Sequence, residues 1–163
     1  MKIVVFGNTG SGKSTLARRL SDVHGLAFLE LDMIAWKSKD PPARFPLQES
    51  VSKIDDFINQ HDEWVMEGAY GDFIVHLLAH ADEFIFLNPG IEACISNAKS
   101  RPWEPHKYKS AKEQNDFLPN LIDWLKQYET REDEFGLMRH VEIFSSFTGK
   151  KTEFNELIDY ESI

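Results

Sequence analysis

Cysteine is nearly absent from this chain. Cys94 is the sole one in 163 residues, so no internal disulfide, no CxxC redox pair and no cysteine-built metal cluster can form. Long hydrophobic runs are also missing. The apolar stretch 3–6 ends at Gly7, too short for the core of a signal peptide, and no segment is apolar for long enough to cross a bilayer. A cytoplasmic protein without a membrane partner is the expectation. Positive charge is scarce: 18 Lys and Arg stand against 27 Asp and Glu, and a formal charge of −9 disfavours nucleic acid and anionic membranes, which carry the same sign. Neither repeats nor low-complexity tracts occur. The remainder is ordinary for a globular chain, 42% hydrophobic and 28% charged, at a length that fits one domain spanning 1–163, as a monomer or homodimer.

Strand-like and helix-like segments alternate, which points to an α/β fold with a parallel sheet covered on both faces. Short apolar and β-branched stretches predict strands at 2–6, 26–31, 63–67, 82–87 and 140–145. Between them, Leu16, Leu20 and Val23 recur at helical spacing before Gly25, and Leu47, Val51, Ile54 and Ile58 do so after Pro46. Ile91, Ile95 and Ala98 follow Pro89, and Leu118, Leu121, Leu125 and Tyr128 mark a longer helix before Gly136. Two irregular, proline-bearing stretches, 35–46 and 101–114, read either as a binding loop and a lid or as variable surface loops. His76 and His80, four apart, read as part of an amphipathic face rather than as metal ligands.

The first strand runs into "GNTGSGKST". Glycine loses the most backbone entropy on folding, so three within six positions need a reason. Gly7-x-x-x-x-Gly12-Lys13-Ser14, between a strand and a helix, is the pattern of a phosphate-binding loop. Main-chain amides of residues 9–14 can curl round an anion where no Cβ intrudes, and the helix start aims its free amides at the same place. Gly7, Asn8, Thr9, Gly10, Ser11, Gly12, Lys13, Ser14 and Thr15 are thus the expected ATP site. Lys13 is suited to the β- and γ-phosphates, Ser14 to Mg²⁺ and Thr15 to the α-phosphate.

A guanine-reading Asn-Lys-x-Asp, an Asp-x-x-Gly switch and an Asp-Glu pair after an apolar strand are all missing, which excludes GTPases and large motor or transporter ATPases and leaves small-molecule kinases. The chain resembles the adenylate- and shikimate-kinase group of P-loop proteins, most closely the small bacterial proteins known as DNA topology modulation proteins or adenylate-kinase-like kinases. The resemblance rests on "GNTGSGKSTLARRL", "LELDMIAW", "EWVMEGAY" and "ADEFIFLN", in that order, and covers nearly the whole chain. It implies a three-layer fold with a five-stranded parallel sheet ordered 2-3-1-4-5, a lid at 100–115, an acceptor-side loop at 33–46, and phosphoryl transfer from ATP with Mg²⁺ to a small acceptor. A nucleotide-binding regulatory protein with little or no turnover is the alternative.

Asp32, after the second strand, sits where open α/β sheets place ligands. In related kinases an acidic residue there faces the acceptor hydroxyl or holds water on Mg²⁺. The other reading makes Asp32 the cap of a helix starting at Met33. Glu67 is a second candidate for Mg²⁺, or else a structural strand-end residue. With Gly68, Ala69, Tyr70 and Gly71 it stands where nucleoside-monophosphate kinases carry Asp-Gly-Phe-Pro-Arg, which argues against AMP as acceptor. Trp36, Arg44, Gly68 and Tyr70 complete the expected acceptor side, although Trp36 and Arg44 also suit packing and solvated charge.

From 99 to 112, Lys99, Arg101, Lys107, Lys109 and Lys112 meet only Glu104. Such a basic island suits a lid that neutralises phosphates, with Arg101 and, from the lid's far side, Arg131 as catalytic candidates. The alternatives are a solvated basic face, or single-stranded nucleic acid bound through Trp103 and Tyr108. The resemblance further implies an adenine edge near Gly149 and Lys150.

Overall fold

In the computed structural model, which describes residues 1–39 and 41–163, the elements in chain order are β1 (Lys2–Gly7), α1 (Lys13–His24), β2 (Ala27–Glu30), α2 (Asp32–Ala35), β3 (Trp36–Lys39) and β4 (Pro42–Arg44). There follow α3 (Leu47–Gln60), β5 (Trp64–Gly68), α4 (Gly71–Leu77), β6 (Glu83–Leu87), α5 (Ile91–Ser100), α6 (Ala111–Lys126), α7 (Leu137–Ser146), β7 (Lys150–Phe154) and a 3-10 turn (Tyr160–Ser162). Position 40 of the expected acceptor-side loop lies outside the described residues.

Five strands form one parallel sheet in the order β2-β5-β1-β6-β7. Counting only its strands, this is the expected order 2-3-1-4-5. Alternate side chains explain why helices cover both faces. Ile3, Val5, Val65 and Ile85 point to one side and pack with Leu16, Ala17 and Leu20 of α1. Val4, Phe6, Met66, Phe84 and Phe86 point to the other and pack with Ile54, Ile74 and Ile143 of α3, α4 and α7. Phe6 stacks on Phe86 with centroids 4.9 Å apart, and Phe84 on Phe147 at 4.2 Å. Each such buried ring contributes roughly 1.5–3 kcal/mol by leaving water. A third, smaller cluster joins Cys94 and Ala98 of α5 to Leu125 of α6. Among the described residues no helix is long and apolar enough to cross a membrane.

Three expectations require correction. Residues 140–145 are helical, within α7: His140 and Ile143 are its buried positions, three apart, and Phe147 is buried just past its end. Val141 and Ile143 suggested a strand, but packing decided the matter, as it commonly does over propensity. The fifth strand is β7 instead. The stretch 35–46, read as irregular, contains the antiparallel pair β3–β4, registering Trp36 with Arg44 and Lys39 with Pro42. Helix α4 ends at Leu77, so His80 lies in the turn beyond it rather than on the same helix.

Candidate active site

The loop from Gly7 to Lys13 connects β1 to α1 at the carboxyl end of the sheet. Its first turn closes by Ser11 N donating to Asn8 O at 3.1 Å. Gly10 and Gly12 have φ of 80° and 95°, a region open to glycine at little cost. Packing adds a second reason: a Cβ on Gly10 would lie 2.5 Å from Cys94 O, and one on Gly12 2.1 Å from Tyr160 Oη. The first intrahelical bond of α1 is Leu16 N to Gly12 O at 3.1 Å, so the amides of Gly12, Lys13, Ser14 and Thr15 have no partner within the helix. They form the start of an anion site. Asn8 turns the other way: Nδ2 donates to Leu125 O at 3.1 Å, fastening the loop to the end of α6.

Lys13 Nζ donates to Asn8 O at 2.7 Å, lying back across the loop. Burial lowers its pKa, while the Glu67 and Asp32 carboxylates oppose that shift. Ser14 Oγ donates to Glu67 Oε1 at 2.8 Å. Octahedral Mg²⁺ with ligands at 2.0–2.1 Å sets neighbouring oxygens about 2.9 Å apart, so this pair fits the ion without rearrangement. Burial pushes Glu67 up to about 7, with Lys13 opposing and Asp32 adding to the rise. A bound cation is the natural means of keeping such a carboxylate charged.

Asp32 opens α2 without making a capping bond, which removes the helix-cap reading. Its two oxygens have different partners. Tyr70 Oη donates to Oδ1 in a short contact and in turn accepts from Trp36 Nε1 at 2.8 Å. Lys107 Nζ, from the 101–110 loop, lies 3.1 Å from Oδ2. Burial pushes the Asp32 carboxyl up, but Lys107, the Tyr70 hydroxyl and Lys13 outweigh it and hold the group below the usual range. The side chain nevertheless keeps 44% of its surface open.

The same loop reaches Glu30 at the end of β2. His106 Nε2 is 3.1 Å from Glu30 Oε2, Lys107 Nζ is 3.7 Å from Oε1, and Arg18 Nη2 holds Oε1 at 3.3 Å. Lys39 Nζ donates to Lys107 O at 2.7 Å. Burial alone would lower the Lys107 pKa, yet Asp32, Glu104 and Glu30 raise it, so the ammonium is firmly charged. Glu30 was not singled out from the sequence, and Lys107 only as one member of the basic island. No spacing signal marks them, because they meet only when the 101–110 loop folds over β2. The basic island is mixed: Arg101 faces Glu104 at 3.6 Å and Lys107 faces Glu30 and Asp32, whereas Lys99, Lys109 and Lys112 are exposed.

Between this loop and the phosphate loop lies a cavity of about 440 Å³, lined by Gly10, Gly12, Lys13, Ser14, Thr15 and Arg18 on one side and by residues 100–106 and Tyr160 on the other. That is within the range of small-molecule sites. Arg101 lines it.

Several expected residues are placed elsewhere. Gly149 and Lys150 sit at the amino end of β7, where Lys150 registers with Glu83, whereas the phosphate loop leaves the opposite end beside Leu87. They cannot touch an adenine bound at that loop. Tyr160, which lines the cavity and donates to Gly12 O at 3.3 Å, occupies the corresponding end instead. Gly68 does not admit substrate: Leu31 and Tyr70 fill the space, and a Cβ would lie 2.9 Å from that of Leu31. Arg44 is committed to Asp72 at 3.1 Å and packed over the Tyr70 and Phe73 rings. Arg131 lies between α6 and α7, held by Asp133 at 2.7 Å and stacked on Trp124 at 3.5 Å. It approaches Asp32 only through Phe135 and Tyr70.

No protein-family model matches the chain, and no curated protein does. Solved structures do. A gluconokinase from Sinorhizobium meliloti 1021 superposes with a TM-score of 0.58 at 15% identity, covering 99% of this chain and 86% of its own. An unliganded sugar kinase from Janibacter sp. HTCC2649 gives 0.56 at 14%, covering 98% and 87%. A deoxyadenosine kinase from M. mycoides, solved with bound dATP, gives 0.54 at 13%, covering 99% and 94%. At these identities what is shared is the fold.

Proposed function

We propose that the chain is a phosphotransferase, moving the γ-phosphoryl group of ATP to a hydroxyl of a small acceptor that carries no phosphate. The observation that carries this reading is Asp32. It is a carboxylate held below its usual range, coupled by charge to Lys13, oriented from one side by Trp36 and Tyr70 and covered from the other by Lys107. The names of the neighbouring gluconokinase, sugar kinase and deoxyadenosine kinase support transfer to hydroxyls, and the dATP in the last supports nucleotide binding.

In the proposed reaction, the amides of 12–15 and Lys13 hold the phosphates, with Arg101 approaching from the lid. Ser14 and Glu67 are the residues suited to Mg²⁺, which supplies charge neutralisation on the phosphate oxygens when bound. Entry of the acceptor displaces Lys107 from Asp32 Oδ2. That oxygen then takes the proton of the acceptor hydroxyl as its oxygen bonds to phosphorus and the bond to the ADP leaving group breaks. Lys107, released, is the lid's compact cation for the transferring group. Arg44 and Arg131 already have Asp72 and Asp133 as counter-ions, with which an acceptor phosphate would have to compete, although Arg44 Nε and Arg131 Nη1 have no hydrogen-bond partner. A neutral polyol, sugar or nucleoside suits this wall better than a nucleoside monophosphate.

The test is an ADP-release screen with Mg·ATP across polyols, sugars, nucleosides and nucleoside monophosphates. Stimulation by an uncharged hydroxyl compound, absent in Lys13→Ala, is expected. Stimulation confined to monophosphates would overturn the acceptor class. Failure of the wild type to gain the roughly 5–11 °C of melting temperature that ATP at 100 times its dissociation constant should give would overturn the nucleotide site itself.

A further inference from the structure

On the far side of the acceptor wall, Asp55 of α3, His76 of α4 and His80 in the following turn bring three ligand atoms within 4.8 Å of one another. His76 Nε2 lies 2.6 Å from Asp55 Oδ1, and the two imidazole rings are 5.2 Å apart between centroids. The turn is what pairs the rings: His80 N donates to Leu77 O at 3.0 Å, folding the chain back after α4 ends.

We infer that Asp55, His76 and His80 form a Zn²⁺ site, with two imidazoles, one carboxylate and a fourth position open to water. Imidazole with carboxylate is a donor set that suits Zn²⁺, and three protein ligands with one open position is a common arrangement for it. Bond lengths of 2.0–2.2 Å put tetrahedral ligand atoms about 3.4 Å apart. The 2.6 Å pair therefore opens by about 0.8 Å, and a pair at the 4.8 Å limit closes by about 1.4 Å. Such shifts are within reach of side-chain rotation, since His76 and Asp55 keep 28% and 43% of their side-chain surface exposed. The ion ties α3 to α4. Those two helices also support the acceptor wall, where Ser50 Oγ donates to Ile34 O at 2.8 Å and Asp72 holds Arg44. The site rests on none of the kinase assignments.

Calorimetric titration of Zn²⁺ into the tag-free full chain, without nucleotide, tests the inference. One equivalent per chain is expected, with a melting temperature raised by about 5–11 °C at 100 times the dissociation constant. His80→Ala, which leaves the Asp55–His76 hydrogen bond in place, and Asp55→Asn should each weaken binding by at least about 100-fold, beyond what a lost outer-shell partner costs. Metal-free melting of His80→Ala should match the wild type, and Co²⁺ should give visible d–d absorption that this variant loses. The inference is overturned by an absence of saturable binding, by wild-type affinity in both variants, or by loss of the zinc equivalent in Glu67→Gln.

Discussion

In the half proposed to hold phosphate, residues from Gly7 to Thr15 are consecutive and offer chiefly main-chain amides and positive-φ glycines. In the half proposed to face the acceptor, Glu30, Asp32, Tyr70, His106 and Lys107 come from separate stretches of chain and meet through side chains. Amides do not titrate, so in the first half a change of charge with pH is confined to Lys13, lowered by burial, and to Glu67 beneath Ser14, raised to about 7. The second half is held by charged side chains, with Lys107 shared between Glu30 and Asp32. It should be the half that responds more to single charge changes.

After loss of Asp32 itself, the largest expected effect comes from removing the ammonium that covers it. Lys107→Met should lower kcat by about 10²–10³, as loss of one charge-stabilising donor commonly does, while leaving nucleotide affinity close to wild type. Steady-state kinetics beside nucleotide melting shifts would show the split. Equal loss of both would place Lys107 in the phosphate half.

Next is stability through His140, which joins α7 to the end of β5. Its Nε2 donates to Ala69 O at 2.8 Å, so Nδ1 accepts from Tyr128 Oη at 2.8 Å and the ring is neutral. Burial lowers its pKa from 6.5 to about 4. The folded state thus binds the proton less readily than the unfolded one. Its contribution is intact above pH 6.5 and is lost as pH falls toward 4, about 3 kcal/mol in all. Urea denaturation at pH 7 and pH 4 should show the wild type losing that much more than His140→Gln.

A smaller change is expected from Tyr70→Phe. The hydroxyl supports the charged form of Asp32, and a hydrogen bond to a charged group is worth about 1.5–3 kcal/mol. The Asp32 pKa should rise, moving the acidic limb of the pH–rate profile upward by about 1–2 units. Lys112→Ala sharpens the contrast from the other direction. Its pair with Asp116 is exposed, and urea denaturation should register no measurable change.

The same division governs how much was legible in the sequence. Gly7, Gly12, Lys13 and Ser14 are spaced by what one stretch of backbone needs to wrap an anion, so the motif reads directly. The strand order and the helices of 13–24, 47–60 and 91–100 followed from periodicity and from the resemblance. Residues 140–145 misled because their β-branched content favours a strand locally, while the buried faces of His140 and Ile143 favour a helix globally. Gly149 and Lys150 were misplaced as a consequence. The pairing of Lys107 with Asp32 was not readable in any spacing, since it depends on how a long loop docks across the sheet. Gly68 and Arg44 were named from their positions, but Leu31 and Asp72 already occupy them.

The most direct measurement compares wild type with Asp32→Asn, recording nucleotide affinity and acceptor-stimulated ADP release in the same preparation. The account predicts unchanged affinity for Mg·ATP and a fall of about 10²–10⁴ in the stimulated rate, the usual worth of a positioned base. Stimulation at the wild-type rate in Asp32→Asn would contradict it.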